Sequence, residues 1–201
     1  MNPGVLVYAL RALEEVTKGV INRKDIEKAG ETIMDCAGLA AVAGVGSGWL
    51  PGAGAFVATG VWIAAIWGMY VKINKDLGIT IKENVLKSLA SALLTNLIAS
   101  AGALILMLIG SSLMSLFPGL GTVGAIAVDG AIGYITVFAS GVLYIKILTK
   151  LFKAGKGLDI SENNVEMIAK GIISESDVKK IIKEGKNAFK HDTKAGKFKQ
   201  K

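Results

Sequence analysis

Apolar and polar positions along this chain fall into blocks rather than alternating. Two long stretches carry no Asp, Glu, Lys or Arg, one from Cys36 to Val71 and one from Ser88 to Val128. After the single charge of Asp129 the second stretch resumes and continues to Ile145. Uncharged runs longer than about 20 residues are the usual mark of membrane-crossing helices. Each run is broken by a matching turn, Pro51-Gly52-Ala53-Gly54 and Pro118-Gly119-Leu120-Gly121. Proline lacks the N–H that a helix interior needs and clashes with the preceding turn. Each run therefore reads as two helices folded back at an uncharged tip, marked by Pro51, Gly52 and Gly54 in the first and Pro118, Gly119 and Gly121 in the second.

Amphipathic segments flank these blocks. Residues 4–20 place Leu6, Leu10, Leu13, Val16 and Val20 at helical spacing with charges on other positions, which predicts a helix with one apolar face. Asn22 or Asp25 begins the next helix, which enters the first apolar run near Ile33, turns at Pro51 and returns over 52–73. Thr80-Ile81-Lys82-Glu83 has the S/T-x-x-E form in which hydroxyl and carboxylate cap a first turn reciprocally, predicting a long helix over 81–116. A further helix is predicted over 120–153. In the tail, Val178, Ile181, Ile182 and Phe189 give one apolar side of a short helix. The predicted fold is all-α, a membrane-associated bundle of two hairpins with flanking amphipathic helices. Its parts are an N-terminal helix (1–24), a double-hairpin hydrophobic domain (25–155) and a basic helix and tail (156–201). The two turns align as equivalents, and Leu77-Gly78-Ile79-Thr80 echoes Leu158-Asp159-Ile160-Ser161 further along, so the halves read as an internal repeat.

Charge placement turns this outline into a topology. Segment 1–35 holds five basic and six acidic residues, linker 72–87 four lysines against Asp76 and Glu83, and the chain from Lys146 onward fourteen lysines against seven acids. The tips have no charge nearby. If the hairpins cross a bilayer, both termini and the linker share one face, and the lysines make that face cytoplasmic, as in a bacterial inner membrane. No cleavable signal pattern opens the chain. The first arm sets a limit: Cys36 to Trp49 makes about 21 Å of helix against a hydrocarbon core of ~30 Å. It spans only with Asp35 at the interface; otherwise the first hairpin is re-entrant or wedged into one leaflet. Composition, 52% hydrophobic with mean hydropathy +0.51, fits a membrane protein. A soluble bundle with fully buried apolar helices is the alternative, in which the rest of the chain would have to cover both apolar stretches.

Candidate functional residues follow from the same pattern. Gly44 with Gly48, Gly60 with Gly68, and Gly121, Gly124, Gly130 and Gly133 place small faces on the apolar helices, which let backbones approach closely where lipid supplies no hydrophobic drive. They serve packing within the hairpins or self-association into an oligomer. Asp129 is the one ionisable group inside an apolar run, and an intramembrane carboxylate is a functional candidate by default; a hydrogen bond to a facing Ser or Thr is the structural alternative. Trp49, Trp62, Trp67 and Tyr70 gather in the first hairpin, with Trp67 and Tyr70 just before Lys72, where interfacial aromatics belong. Lys179, Lys180, Lys183, Lys186 and Lys190 form a basic tail suited to anionic lipid. With no arginine and only Phe189 and Phe198 as aromatics, the tail is not expected to bind nucleic acid.

Catalytic chemistry finds no foothold. No G-x-x-x-x-G-K-[ST] occurs, and Gly119 to Gly124 meets G-x-G-x-x-G only by letter, after a helix rather than a strand. One cysteine, Cys36, and one histidine, His191, exclude a Cys/His zinc site. No cofactor, no metal and no nucleophile with a base are expected.

The segment from Ile73 to about Lys153 carries a family resemblance. It combines a Lys75-Asp76-Leu77-Gly78-Ile79-Thr80 restart, a long Ala/Leu/Ser helix, the turn Leu116 to Gly121 and a Gly/Ala-rich return helix with Tyr134. It resembles the hydrophobic domain of YcjF-like bacterial inner-membrane proteins, found also at the ends of some bacterial GTPases; with the upstream turn it covers about 25–155. The resemblance implies a membrane-associated helical module working with a GTPase, here in trans because this chain has no P-loop. The expected role is an anchor, scaffold or membrane-remodelling module. A self-assembling pore, or a soluble bundle that inserts when triggered, are the alternatives.

Overall fold

The structure is a computed structural model. It describes residues 3–46, 54–113, 121–155 and 160–198, with side-chain surroundings for 3–42, 62–105, 130–155 and 160–198. The described residues form the α-helices α1 (Gly4–Val16), α2 (Arg23–Gly46), α3 (Gly54–Leu77), α4 (Glu83–Leu113), α5 (Gly121–Lys153), α6 (Val165–Glu175) and α7 (Val178–Lys194), with a 3₁₀ turn at Glu162–Asn164. No strand occurs among the described residues. The all-α expectation is met.

Local chemistry sets the helix ends. The Asn22 carbonyl accepts from the backbone N–H of Asp25 and Ile26, which makes Asn22 the start of α2. At the end of α3, Gly78 takes φ 64° and the Ile79 N–H reaches the Asn74 carbonyl at 2.9 Å. A left-handed residue followed by this six-to-one bond closes the helix, and glycine adopts it without steric cost. The predicted Thr80–Glu83 capping box is displaced. The Lys82 carbonyl accepts the first helical bond, from the Leu86 N–H, so α4 begins at Glu83 and Thr80 lies too far upstream to cap it.

Helices α2 to α5 form an up-down-up-down bundle in which each packs on its neighbours and α2 packs along α5. The base of the first hairpin is pinned: Thr32 Oγ1 donates to Asp76 Oδ2 at 2.8 Å and Lys28 Nζ lies 2.9 Å from Asp76 Oδ1, so the start of α2 meets the end of α3. Ile33 faces Gly141 and Ala40 faces Gly133, an antiparallel register of α2 on α5. Across the bundle α3 and α5 run parallel, with Tyr70 stacked on Tyr144 at 4.0 Å between ring centroids.

The remaining helices cover α5. Leu10 of α1 sits over Gly30 of α2, and the N-terminus of α1 is capped from outside, its Val5 N–H donating to Glu184 Oε2 of α7 at 2.7 Å. A carboxylate there satisfies an orphan donor and complements the helix dipole. Helix α7 lies antiparallel to α5, with Gly185 against Phe138 and Phe189 against Tyr134. Helix α6, inside the segment that patterning reads only as a basic helix and tail, packs on α4 and α5. One hydrophobic core runs from Leu6 to Phe189, and α5 is its axis.

Candidate membrane-contact site

Two described helical windows are long and apolar enough to cross a membrane, Glu83–Ile105 and Gly130–Lys153, yet 44% of the first and 89% of the second are buried inside the protein. The second is the core axis. Its glycines are used in close approach: a Cβ on Gly133 would stand 2.9 Å from the Ala40 carbonyl oxygen, and one on Gly141 would stand 2.8 Å from Ile33. Such distances leave no room for a methyl group. A Cβ on Gly185 would press on the Phe138 ring at 2.8 Å, whereas one on Gly30 would meet only the terminal Leu10 Cδ1 methyl, at 2.6 Å, which a rotamer change can move. Of these four, only Gly133 is among the glycines the sequence singles out.

The other glycine candidates divide. Gly130 is buried. Gly68 is exposed, with open space where a Cβ would be, so it packs against none of the described residues. Gly44, Gly60 and Gly124 lie within α2, α3 and α5, their surroundings outside the described residues. Gly54 and Gly121 open α3 and α5; Pro51, Gly52, Pro118, Gly119 and Gly48 lie outside the described residues. Asp129 is on α5, and its side chain is likewise outside them.

The aromatic expectation changes for Tyr70. It is fully buried, donating to the Ser140 carbonyl at 3.2 Å, while Tyr144 donates to Asn74 Oδ1 at 2.5 Å. A ring stack and two satisfied hydroxyls make this a core pair, not an interfacial belt. The seam also holds Ser140 Oγ, Asn74 Nδ2 and Trp67 Nε1 without partners among the described residues.

The described packing marks out a covered base at one end of the bundle. Gly133 on α5, Ala40 on α2 and Trp62 on α3 meet at one level. From there α5 continues to Gly121, about 18 Å away, whereas α2 continues to Gly46, about 9 Å away. Neither extension carries a charge except Asp129.

The C-terminal segment closes the base at this level. Gly196 takes φ 75° and the Lys197 N–H reaches the Asp192 carbonyl at 3.1 Å, the same left-handed closure that ends α3. The chain thereby turns Phe198 back: it stacks on Phe189 and meets Tyr134 edge-on, with centroids 5.5 and 6.0 Å away, and reaches Gly38 of α2. Beside the rings, Tyr134 donates to Asp192 Oδ2 at 3.1 Å and Lys197 Nζ lies 2.9 Å from Asp192 Oδ1. Burial raises the Asp192 pKa, but hydrogen bonds from Lys197, His191 and Tyr134 outweigh it and hold the carboxyl below its ordinary value. Asp76 behaves alike: burial raises it, and the bonds from Lys28 and Thr32 bring it below the ordinary value.

The predicted lysine set is not one surface. Lys179, Lys180 and Lys183 are exposed, Lys190 is half-buried, and Lys186 is buried with 8% exposure. Lys186 shares the inward side of α7 with Ile182 and Phe189, which removes it from any lipid-facing set. Because α7 runs antiparallel to α5, Lys179 and Lys180 lie at the far end of the base and Lys190 lies toward the hairpin ends.

Among the described residues no three His, Cys, Asp or Glu side chains cluster as a metal site. No family model matches the chain, and no curated protein or solved structure does.

Proposed function

We propose that this protein is a non-catalytic membrane module: a water-facing helical base that presents two uncharged hairpin ends to one leaflet of a bacterial inner membrane. Base and termini stay on the cytoplasmic side, where lysine-rich segments are retained. The observation that carries this reading is the split along α5. Its Gly130–Lys153 half is buried by other helices, and from there to Gly121 the helix runs only about 13 Å more. That length reaches into a hydrocarbon core of ~30 Å but does not cross it. A crossing would need a further stretch of α5 that is packed against Ala40, Ile33 and Phe189. The module anchors or scaffolds; the YcjF-like resemblance makes a GTPase in trans the partner to seek, by co-purification.

Single cysteines at Gly52 and Gly119, in a chain with Cys36 replaced by serine, test the reading in inverted and right-side-out vesicles. Both positions should resist a membrane-impermeant thiol reagent from either face and be quenched by lipid-borne nitroxides in the proximal leaflet. Labelling from the far face overturns the one-leaflet reading in favour of spanning hairpins. Failure to float with vesicles overturns membrane association altogether.

Burial of Gly130–Lys153 favours one further reading, a bundle that inserts fully when triggered. In that case α1, α2 and α7 must first leave α5. A disulfide joining cysteines at Phe138 and Gly185, which ties α7 to α5, would then abolish insertion, and in the one-leaflet reading it leaves membrane binding unchanged.

A further inference from the structure

Helix α7 is the most basic element of the chain, and its direction decides which of its charges can meet a membrane. Contacts of Gly185 with Phe138 and of Phe189 with Tyr134 keep it antiparallel to α5. Its last turn therefore sits at the level where the uncharged ends begin. At that rim Lys194 is exposed and Lys190 half-exposed. The nearby acids are mostly engaged: Asp192 by Lys197 and Tyr134, Glu184 by the Val5 N–H. Asp35 on α2 is exposed. The aromatic stack of Phe189, Phe198 and Tyr134 fixes this turn, so its cations are held at a set height above the apolar ends rather than on a free tail.

We propose that this hairpin-side rim binds anionic phospholipid headgroups, with Lys190 and Lys194 as the contacting cations. The inference rests on the one-leaflet reading: only when the hairpin ends enter the leaflet do these two residues reach headgroup level, while Lys179 and Lys180 stay a helix length away. The span of α7, Val178–Lys194, measures about 25 Å, well beyond the ~8 Å over which physiological salt leaves a charge effective. Position on the helix, not total charge, thus decides which lysines matter. A folded collar of this kind also selects a leaflet by its lipid charge, which apolar ends cannot do alone.

The test compares two double reversals of equal net charge, Lys190→Glu with Lys194→Glu and Lys179→Glu with Lys180→Glu. Flotation is measured with vesicles of phosphatidylcholine alone and with about one third phosphatidylglycerol, at physiological salt. The rim reversal should cost at least roughly ten-fold in affinity for the anionic vesicles and nothing for the neutral ones, with the base-end reversal close to wild type. Glutamine at both rim positions should lose less than glutamate does, and unchanged helical circular dichroism confirms the fold in each variant. Equal losses from the two reversals, or a larger loss at the base end, overturn the rim. Wild-type binding that ignores phosphatidylglycerol also overturns it, while leaving the one-leaflet reading standing. Binding to neither vesicle overturns both.

Discussion

Glycine has two opposite uses here, and the difference is testable at single positions. Gly133 stands where a methyl group would press on the Ala40 carbonyl, so Gly133→Ala must separate α2 from α5. Overpacking of this kind typically costs about 1–3 kcal/mol, and urea unfolding should register it. Gly68→Ala meets open space and should instead stabilise by up to about 1 kcal/mol through helix propensity. The Tyr70–Tyr144 seam gives a second residue-scale expectation. Ser140→Ala removes a fully buried hydroxyl that has no partner among the described residues, and it should raise stability by about 1 kcal/mol. Acid provides a third. Asp76 and Asp192 both have folded pKa values below their ordinary ones. Their contribution is therefore complete above the unfolded value of about 3.9 and is lost as pH falls through the lower folded values. An acid titration of stability should show a loss below about pH 4 that shrinks in Asp76→Asn and Asp192→Asn.

At the scale of elements, the C-terminal closure depends on a single backbone conformation. Gly196→Ala strains a left-handed residue, at a cost of about 1 kcal/mol or more. It should loosen Lys197 and Phe198 together, seen as faster amide exchange at Lys197 with the core amides of α5 unchanged. Phe198→Ala should reproduce the loosening without the backbone strain. Most helices were legible from periodicity. Residues 4–20 gave α1, and the apolar runs with their prolines gave α2 to α5 within a few residues. Local signals reached less far. Helix α6 was missed because Val165, Ala169, Ile172 and Ile173 are a short apolar stripe among charges, and its partner grooves on α4 and α5 exist only in the fold. The tail's return was equally hidden: Phe189 and Phe198 do not share a face of a continuous helix pattern, and nothing local says that Gly196 brings one ring onto the other. Tyr70 misled for the opposite reason. Its place before Lys72 imitates an interfacial residue, while its real partners, Ser140 and Tyr144, lie far downstream on α5.

For the whole molecule, the distribution of charge and the path of α5 act together. The sequence separates charged from uncharged segments, and the up-down-up-down topology brings the charged ends of α2 to α5 together, where Lys28 meets Asp76 and Lys150 meets Glu175. What the sequence could not say is how much of α5 the base consumes. Composition alone credits it with a bilayer-length apolar run; in the fold, the Gly130–Lys153 stretch is taken up by packing. Depth measurements should therefore find the second hairpin deeper than the first, in the order set by extensions of about 18 and 9 Å. Nitroxide quenching at matched positions, Gly119 and Gly52, measures this directly, and equal depths would contradict the proposed docking.

Because α5 is the common partner of α1, α2, α4 and α7, the base has a definite order of birth. Ile33 is synthesised long before Gly141, against which it packs. During that interval the face of α2 that packs on α5 has no partner, although α4, made before α5, already covers part of α3. Contacts this distant along the chain fold slowly and expose apolar surface meanwhile. In the proposed membrane module, a bilayer, or a factor that delivers chains to one, would compete during this window with the future partner of α2.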